Sequence, residues 1–183
     1  SRRPLARVPG AVHGVAFHPA RPHLVLLCER AVRVFDLARG VSVLRLRRGA
    51  PGPGVLAAVP GGDHFLVAGP GRDVSWLDAD RAARGPVRTV AVQRTASHGV
   101  RALAVHSLLS PEGAQAFPLF AAGGDDGSVA VVHGRAPADL ASEPTVVPVA
   151  AIRVGAPVHA LAFHPAQPWL FVGAADGHLA LYV

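Results

Sequence analysis

The chain has 183 residues, half of them hydrophobic, with a formal net charge of +6 and a pI near 11.3. That length admits one or two domains. Purely apolar runs such as Leu24 to Cys28 are far shorter than the ~20 residues a membrane-spanning helix needs. All 18 basic residues are Arg, and without Lys neither a Walker phosphate loop nor Schiff-base chemistry can be built.

Ser1-Arg2-Arg3-Pro4 is not followed by an apolar stretch long enough for a signal peptide. The single Cys28 sits in an apolar run and reads as a small buried hydrophobe, so the expectation is a soluble protein of a reducing compartment. The positive balance favours acidic partners such as RNA. The absence of Lys and Asn, with Ile152 the one isoleucine, also fits a codon bias that would make part of the Arg excess background.

In chain order, a first unit has a strand at Pro4 to Val8, the segment V-H-G-V-A-F-H-P-A-R-P at 12–22, and an apolar run at Leu24 to Cys28. A turn at Glu29-Arg30 and the run Val32 to Phe35 close it. A second unit reads Val41 to Arg47, Val55 to Val59, Phe65 to Gly69 and Val74 to Asp78. A third reads Val87 to Val92, Val100 to His106, Leu119 to Ala122 and Asp125 to Val129. The fourth opens at Val147 to Arg153 and repeats the first as V-H-A-L-A-F-H-P-A-Q-P at 158–168. Trp169 to Gly173, the turn Asp176-Gly177 and Leu179 to Tyr182 complete it.

With Phe17, Val59, Val105 and Phe163 taken as equivalent, the spacings are 42, 46 and 58 residues. The first two fit the roughly 40–45 residue period of WD repeats, and the excess in the last falls in the connector around Arg135 to Pro148. The runs are short, rich in Val, Leu and Phe, and bounded by Gly, Pro and Asp, which predicts strands. Asp126-Gly127 and Asp176-Gly177 supply tight hairpin turns. Pro19, Pro22, Pro165 and Pro168 belong in the loop after the first strand, since they cannot donate to a ladder.

Four units of four strands predict an all-β chain of the WD40 β-propeller type, with blades at about 1–37, 41–78, 87–133 and 147–183. The usual dipeptide positions hold Phe35-Asp36, Leu77-Asp78, Val132-His133 and Tyr182-Val183, so the repeats are degenerate. A closed ring usually has more than four blades. The start at Ser1 and the end of a third strand at Val183 lead to the expectation of a C-terminal part of a larger, seven-bladed ring.

Three passages resemble the Block of Proliferation (Erb) family of eukaryotic ribosome-biogenesis factors. They are V-A-F-H-P-A-R-P at 15–22 with R-A-V-R-V-F-D-L at 30–37, D-D-G-S-V-A-V-V-H-G at 125–134 with Val147-Pro148-Val149 behind it, and F-H-P-A-Q-P-W at 163–169 with A-D-G-H-L-A-L-Y at 175–182. The resemblance implies a scaffold in complex with a pescadillo-type protein and a second WD-repeat protein. Such a scaffold serves ribosomal RNA precursor processing and large-subunit maturation in the nucleolus and nucleoplasm. The family's Lys residues are absent, residues 107–118 carry an insertion, and the N-terminal region that carries most of the pescadillo contact is not part of this sequence. A WD-repeat adaptor in an unrelated complex is the other reading.

Arg45, Arg47 and Arg48 on an outer strand, and Arg2, Arg3 and Arg7 near the start, are the candidate RNA or phosphate contacts, although exposed charges also protect sheet edges. His13 and His18, like His159 and His164, are five apart and predicted on opposite faces, a poor metal geometry. His18 and His164 each precede Pro at a strand end, a repeated structural position. Asp125-Asp126-Gly127 lacks the further carboxylates of a calcium loop, and no Ser, His and Asp set has a nucleophile-elbow context. No metal site, cofactor or catalytic residue is therefore expected. Trp169 is expected to pack in the core, with a partner anchor as the alternative.

Overall fold

The computed structural model describes residues 6–71, 73–78, 88–91, 99–106, 119–134 and 146–183. Its described elements are fifteen β-strands in four antiparallel sheets, each a meander in sequence order. The first sheet holds β1 (Val12–Phe17), β2 (His23–Cys28), β3 (Ala31–Asp36) and β4 (Val41–Arg47). The second holds β5 (Val55–Ala58), β6 (His64–Ala68), β7 (Asp73–Asp78) and β8 (Arg88–Ala91). The third holds β9 (Val100–Val105), β10 (Leu119–Gly124), β11 (Ser128–Gly134) and β12 (Val146–Arg153). The fourth has three strands, β13 (Val158–Phe163), β14 (Leu170–Ala174) and β15 (Leu179–Tyr182).

The sheets are cut one strand later than the repeat units. Val41–Arg47 pairs with Ala31–Asp36 and closes the first sheet instead of opening the second, and β8 and β12 do the same for theirs. The strand expected at Pro4 to Val8 is not seen over residues 6–8, which are irregular, while Pro4 and Leu5 lie outside the described residues. Gly127 and Gly177 take φ of 74° and 88° in the Asp-Gly turns between the second and third strands of their sheets, the left-handed conformation that closes a three-residue hairpin loop after a tight turn.

Side chains alternate across each strand, and successive sheets use that alternation to share three cores. Val25, Leu27, Val32 and Val34 of the first sheet pack on Phe65, Val67 and Leu77 of the second. The opposite face of the second sheet gives Leu66, Val74 and Trp76 to a core with Val100, Phe120 and Val132 of the third. The third sheet in turn sets Ala121, Val129 and Val131 against Val158, Leu170 and Val172 of the fourth. A strand covered on both faces reads as an unbroken apolar run, which is the pattern of Phe65-Leu66-Val67-Ala68. An all-β chain of face-packed antiparallel sheets is a partial β-propeller.

One contact between sheets recurs. His18, just past β1, accepts N–H bonds at Nδ1 from Ala20 (3.1 Å) and Arg21 (3.2 Å). Its Nε2 lies 3.1 Å from Asp63 Oδ1, in the β5–β6 loop of the next sheet. His106, just past β9, places Nε2 3.1 Å from the Gln167 carbonyl in the β13–β14 loop of its next sheet. Each ring also meets a phenylalanine of that sheet edge-on, Phe65 at 5.8 Å and Phe163 at 5.2 Å.

Candidate nucleic-acid interface

The arginines of β4 owe their position to strand alternation. Leu44 and Leu46 turn inward onto the core shared with the second sheet, so Arg45 and Arg47 project from the other face and are exposed. Arg45 lies opposite Arg33 of β3, and Arg47 opposite Ala31. Arg30, in the β2–β3 turn, joins them: Arg30, Arg45, Arg47, Arg48 and Pro51 line a depression of about 530 Å³. Among the described residues no carboxylate stands within ion-pair distance of Arg30, Arg33, Arg45 or Arg47. A cluster of guanidinium groups without counter-ions is suited to phosphate oxygens, which take two parallel N–H bonds from one planar fork.

Arg48 has a different use. It is half-buried, and its Nη1 donates to the carbonyls of Cys28 (3.2 Å), Glu29 (3.1 Å) and Gly52 (2.6 Å). It ties the β2–β3 turn to the connector leading into the second sheet. Burial pulls its pKa below the usual guanidinium value, while the neighbouring Cys28 thiol pulls it up. Burial likewise pushes the Cys28 thiol up, against the pull of Arg33 and Arg48, which keeps it an inert core side chain. Arg7 is exposed in the irregular segment ahead of β1. Arg2 and Arg3 lie outside the described residues.

Arg30 and Arg33 were not among the sequence candidates. The signal for Arg33 was its place in Val32-Arg33-Val34, but the direct pairing with Arg45 depends on β3 and β4 sharing a sheet. Arg101, on the first strand of the third sheet, is paired with Asp125 at 2.6 Å. His13 and His159 each occupy a β-bulge, where the register shifts between Val12 and Gly14 and between Val158 and Ala160. His18 lies beyond the end of β1, so simple strand alternation does not relate it to His13. Among the described residues no three His, Cys, Asp or Glu side chains converge as a metal site. Trp169 is 36% exposed and lies against the His164 ring at 5.2 Å, at the margin of the fourth sheet and outside its core.

Comparison with known proteins gives the cluster its setting. The family described as "WD domain, G-beta repeat" matches residues 151–182. The "Ribosome biogenesis protein BOP1 homolog" of Chlamydomonas reinhardtii is 38% identical over 188 aligned residues, covering the whole of this chain and 22% of that protein. The "Ribosome biogenesis protein BOP1" of Homo sapiens is 35% identical over 187, again the whole chain and 24% of the relative. The "Ribosome biogenesis protein ERB1" of Coprinopsis cinerea is 32% identical over 187, covering the whole chain and 23% of the relative. The chain thus spans about a quarter of the length of the curated relatives it matches. Its sheets and its WD repeat agree with this end-to-end similarity, and the chain is similar along its whole length to a segment of the BOP1/ERB1 ribosome biogenesis proteins.

Proposed function

We propose that this chain is a non-catalytic, propeller-forming part of a ribosome biogenesis factor that acts as a scaffold in large-subunit (60S) maturation. The observation that supports this reading most strongly is the similarity along the whole chain to proteins named for ribosome biogenesis, at 32–38% identity. The work of such a scaffold is done in the nucleolus and nucleoplasm, within preribosomal large-subunit precursors, with a pescadillo-type protein and a second WD-repeat protein as partners. Face-packed sheets and a positively charged outer strand suit this role, because rigid surfaces hold partners in fixed register.

Arg45 and Arg47, with Arg30 and Arg33 beside them, are the residues through which this segment meets ribosomal RNA phosphates. The contact is sequence-independent and weakens with salt. Affinity purification of the full-length protein, with sequencing of the bound RNA and identification of the bound proteins, tests the reading. Large-subunit precursor RNA and a pescadillo-type protein are the expected result. Recovery of neither overturns it.

A further inference from the structure

We infer that His164 is one half of a third latch between sheets, whose Nε2 donates to the first loop of a further sheet of the same chain. The inference is independent of the proposed role in ribosome assembly. His18 shows both halves of the device, two loop N–H groups on Nδ1 and an ion-pair distance of 3.1 Å from Nε2 to Asp63, and His106 shows the half that reaches the next sheet. The ring stands just past the first strand of its sheet, Nδ1 of His18 accepts two loop N–H groups, and Nε2 reaches the next sheet's loop, to a carboxylate in one case and a main-chain carbonyl in the other.

His164 repeats the inner half. It follows β13, and its Nδ1 accepts from the N–H groups of Ala166 (3.2 Å) and Gln167 (3.0 Å). A neutral imidazole whose Nδ1 accepts carries its proton on Nε2, so the donor is fixed in place before any acceptor arrives. Among the described residues Nε2 of His164 has no hydrogen-bond partner.

Two further observations say what arrives. The face of the fourth sheet turned away from the third is apolar: Ala162, Phe171 and Leu181 stand in cross-strand register, and Leu179 and Leu181 are 75% and 49% exposed. The corresponding faces of the second and third sheets are each buried against a neighbouring sheet. The relatives extend well beyond this segment, which covers only 22–24% of them. The occupant is therefore a further antiparallel sheet of the full-length chain. Its loop between first and second strands offers a carboxylate or carbonyl oxygen at the place of Asp63 and Gln167.

The test uses the full-length protein. Carbethoxylation with diethyl pyrocarbonate should modify His164 as slowly as His18 and His106, and far more slowly than His178, whose side chain is 79% exposed. His164→Asn separates the two halves of the latch. Its short side chain can still accept the loop N–H groups, as Asp36 does from Ala38 (2.9 Å) and Arg39 (3.0 Å), but cannot reach a neighbouring sheet. His164→Asn and His106→Asn should each lower the melting temperature by about 2–4 °C. Modification of His164 at the rate of His178 overturns the inference. So does protection that depends on protein concentration, which marks a second copy, or protection seen only with a bound partner. A His164→Asn protein as stable as the parent, with His106→Asn destabilised, also overturns it.

Discussion

Arg33 and Arg45 face each other directly across the antiparallel pair β3–β4, and no carboxylate among the described residues stands within ion-pair distance of either. Like charges in directly opposed positions oppose sheet formation, so the arrangement costs stability that a bound polyanion would recover. Arg45→Glu converts the repulsion into a cross-strand ion pair. Denaturant unfolding should show a gain of about 0.2–1 kcal/mol. RNA affinity should fall, with a salt slope reduced by about 1. A loss of stability together with unchanged RNA affinity would contradict the assignment.

Arg48→Ala should behave in the opposite way. Deleting the guanidinium leaves the carbonyls of Cys28, Glu29 and Gly52 without their shared donor, a loss of about 1.5–3 kcal/mol for a charged hydrogen-bonding group. The salt slope of RNA binding should stay as in the parent. Adjacent arginines would thus separate cleanly, one structural and the others facing solvent.

Gly134 lies beneath the Trp76 ring, between the second and third sheets. A Cβ built there comes 2.5 Å from Trp76 Cζ3 and 3.2 Å from Phe120 Cε1, both core side chains. Gly134→Ala should cost about 1–3 kcal/mol through overpacking, read as a lowered melting temperature. An unchanged melting temperature would mean that the two sheets are less closely packed than described.

Asp126 supplies a pH dependence. Burial raises its carboxyl, but bonds from the Ser128 hydroxyl (2.6 Å) and the Ser128 N–H (3.0 Å) outweigh it, and the net shift is downward. A carboxyl depressed in the folded state stabilises fully above its unfolded value of about 3.9 and loses that contribution as pH falls through the lower folded value. Ser128→Ala removes the hydroxyl bond, so the variant should lose less stability than the parent between neutral pH and the acid limb below about pH 4. Equal acid sensitivity in urea titrations at pH 7 and at pH 3 would show that this bond does not set the shift.

Strand positions were largely legible, because Val, Leu and Phe runs between Gly, Pro and Asp carry the two-residue period. Sheet membership was not. Val41 to Arg47 follows the first unit's third strand and precedes the second unit's first strand, and alternation alone does not say with which of them it pairs. The short turn at residues 37–40 decides it: Asp36 Oδ1 accepts from Ala38 and Arg39, and Gly40, at φ 67°, closes a hairpin. The candidate site shared this fate. Arg45 and Arg47 were visible as an alternating pair, whereas Arg33 enters only through the β3–β4 register. Arg48 looked equivalent to its neighbours until its burial and three carbonyl partners were seen. The His-Pro repeats announced a structural position, but not that the imidazoles of His18 and His106 reach into the following sheet.

The proposed role in large-subunit assembly meets its most direct test in conditional depletion of the full-length protein, followed by sucrose-gradient analysis of ribosomal subunits. A selective fall in free large subunits with accumulation of their precursor RNA is the expected result, restored by re-expressing the intact protein. A subunit ratio and precursor profile unchanged after depletion would contradict it.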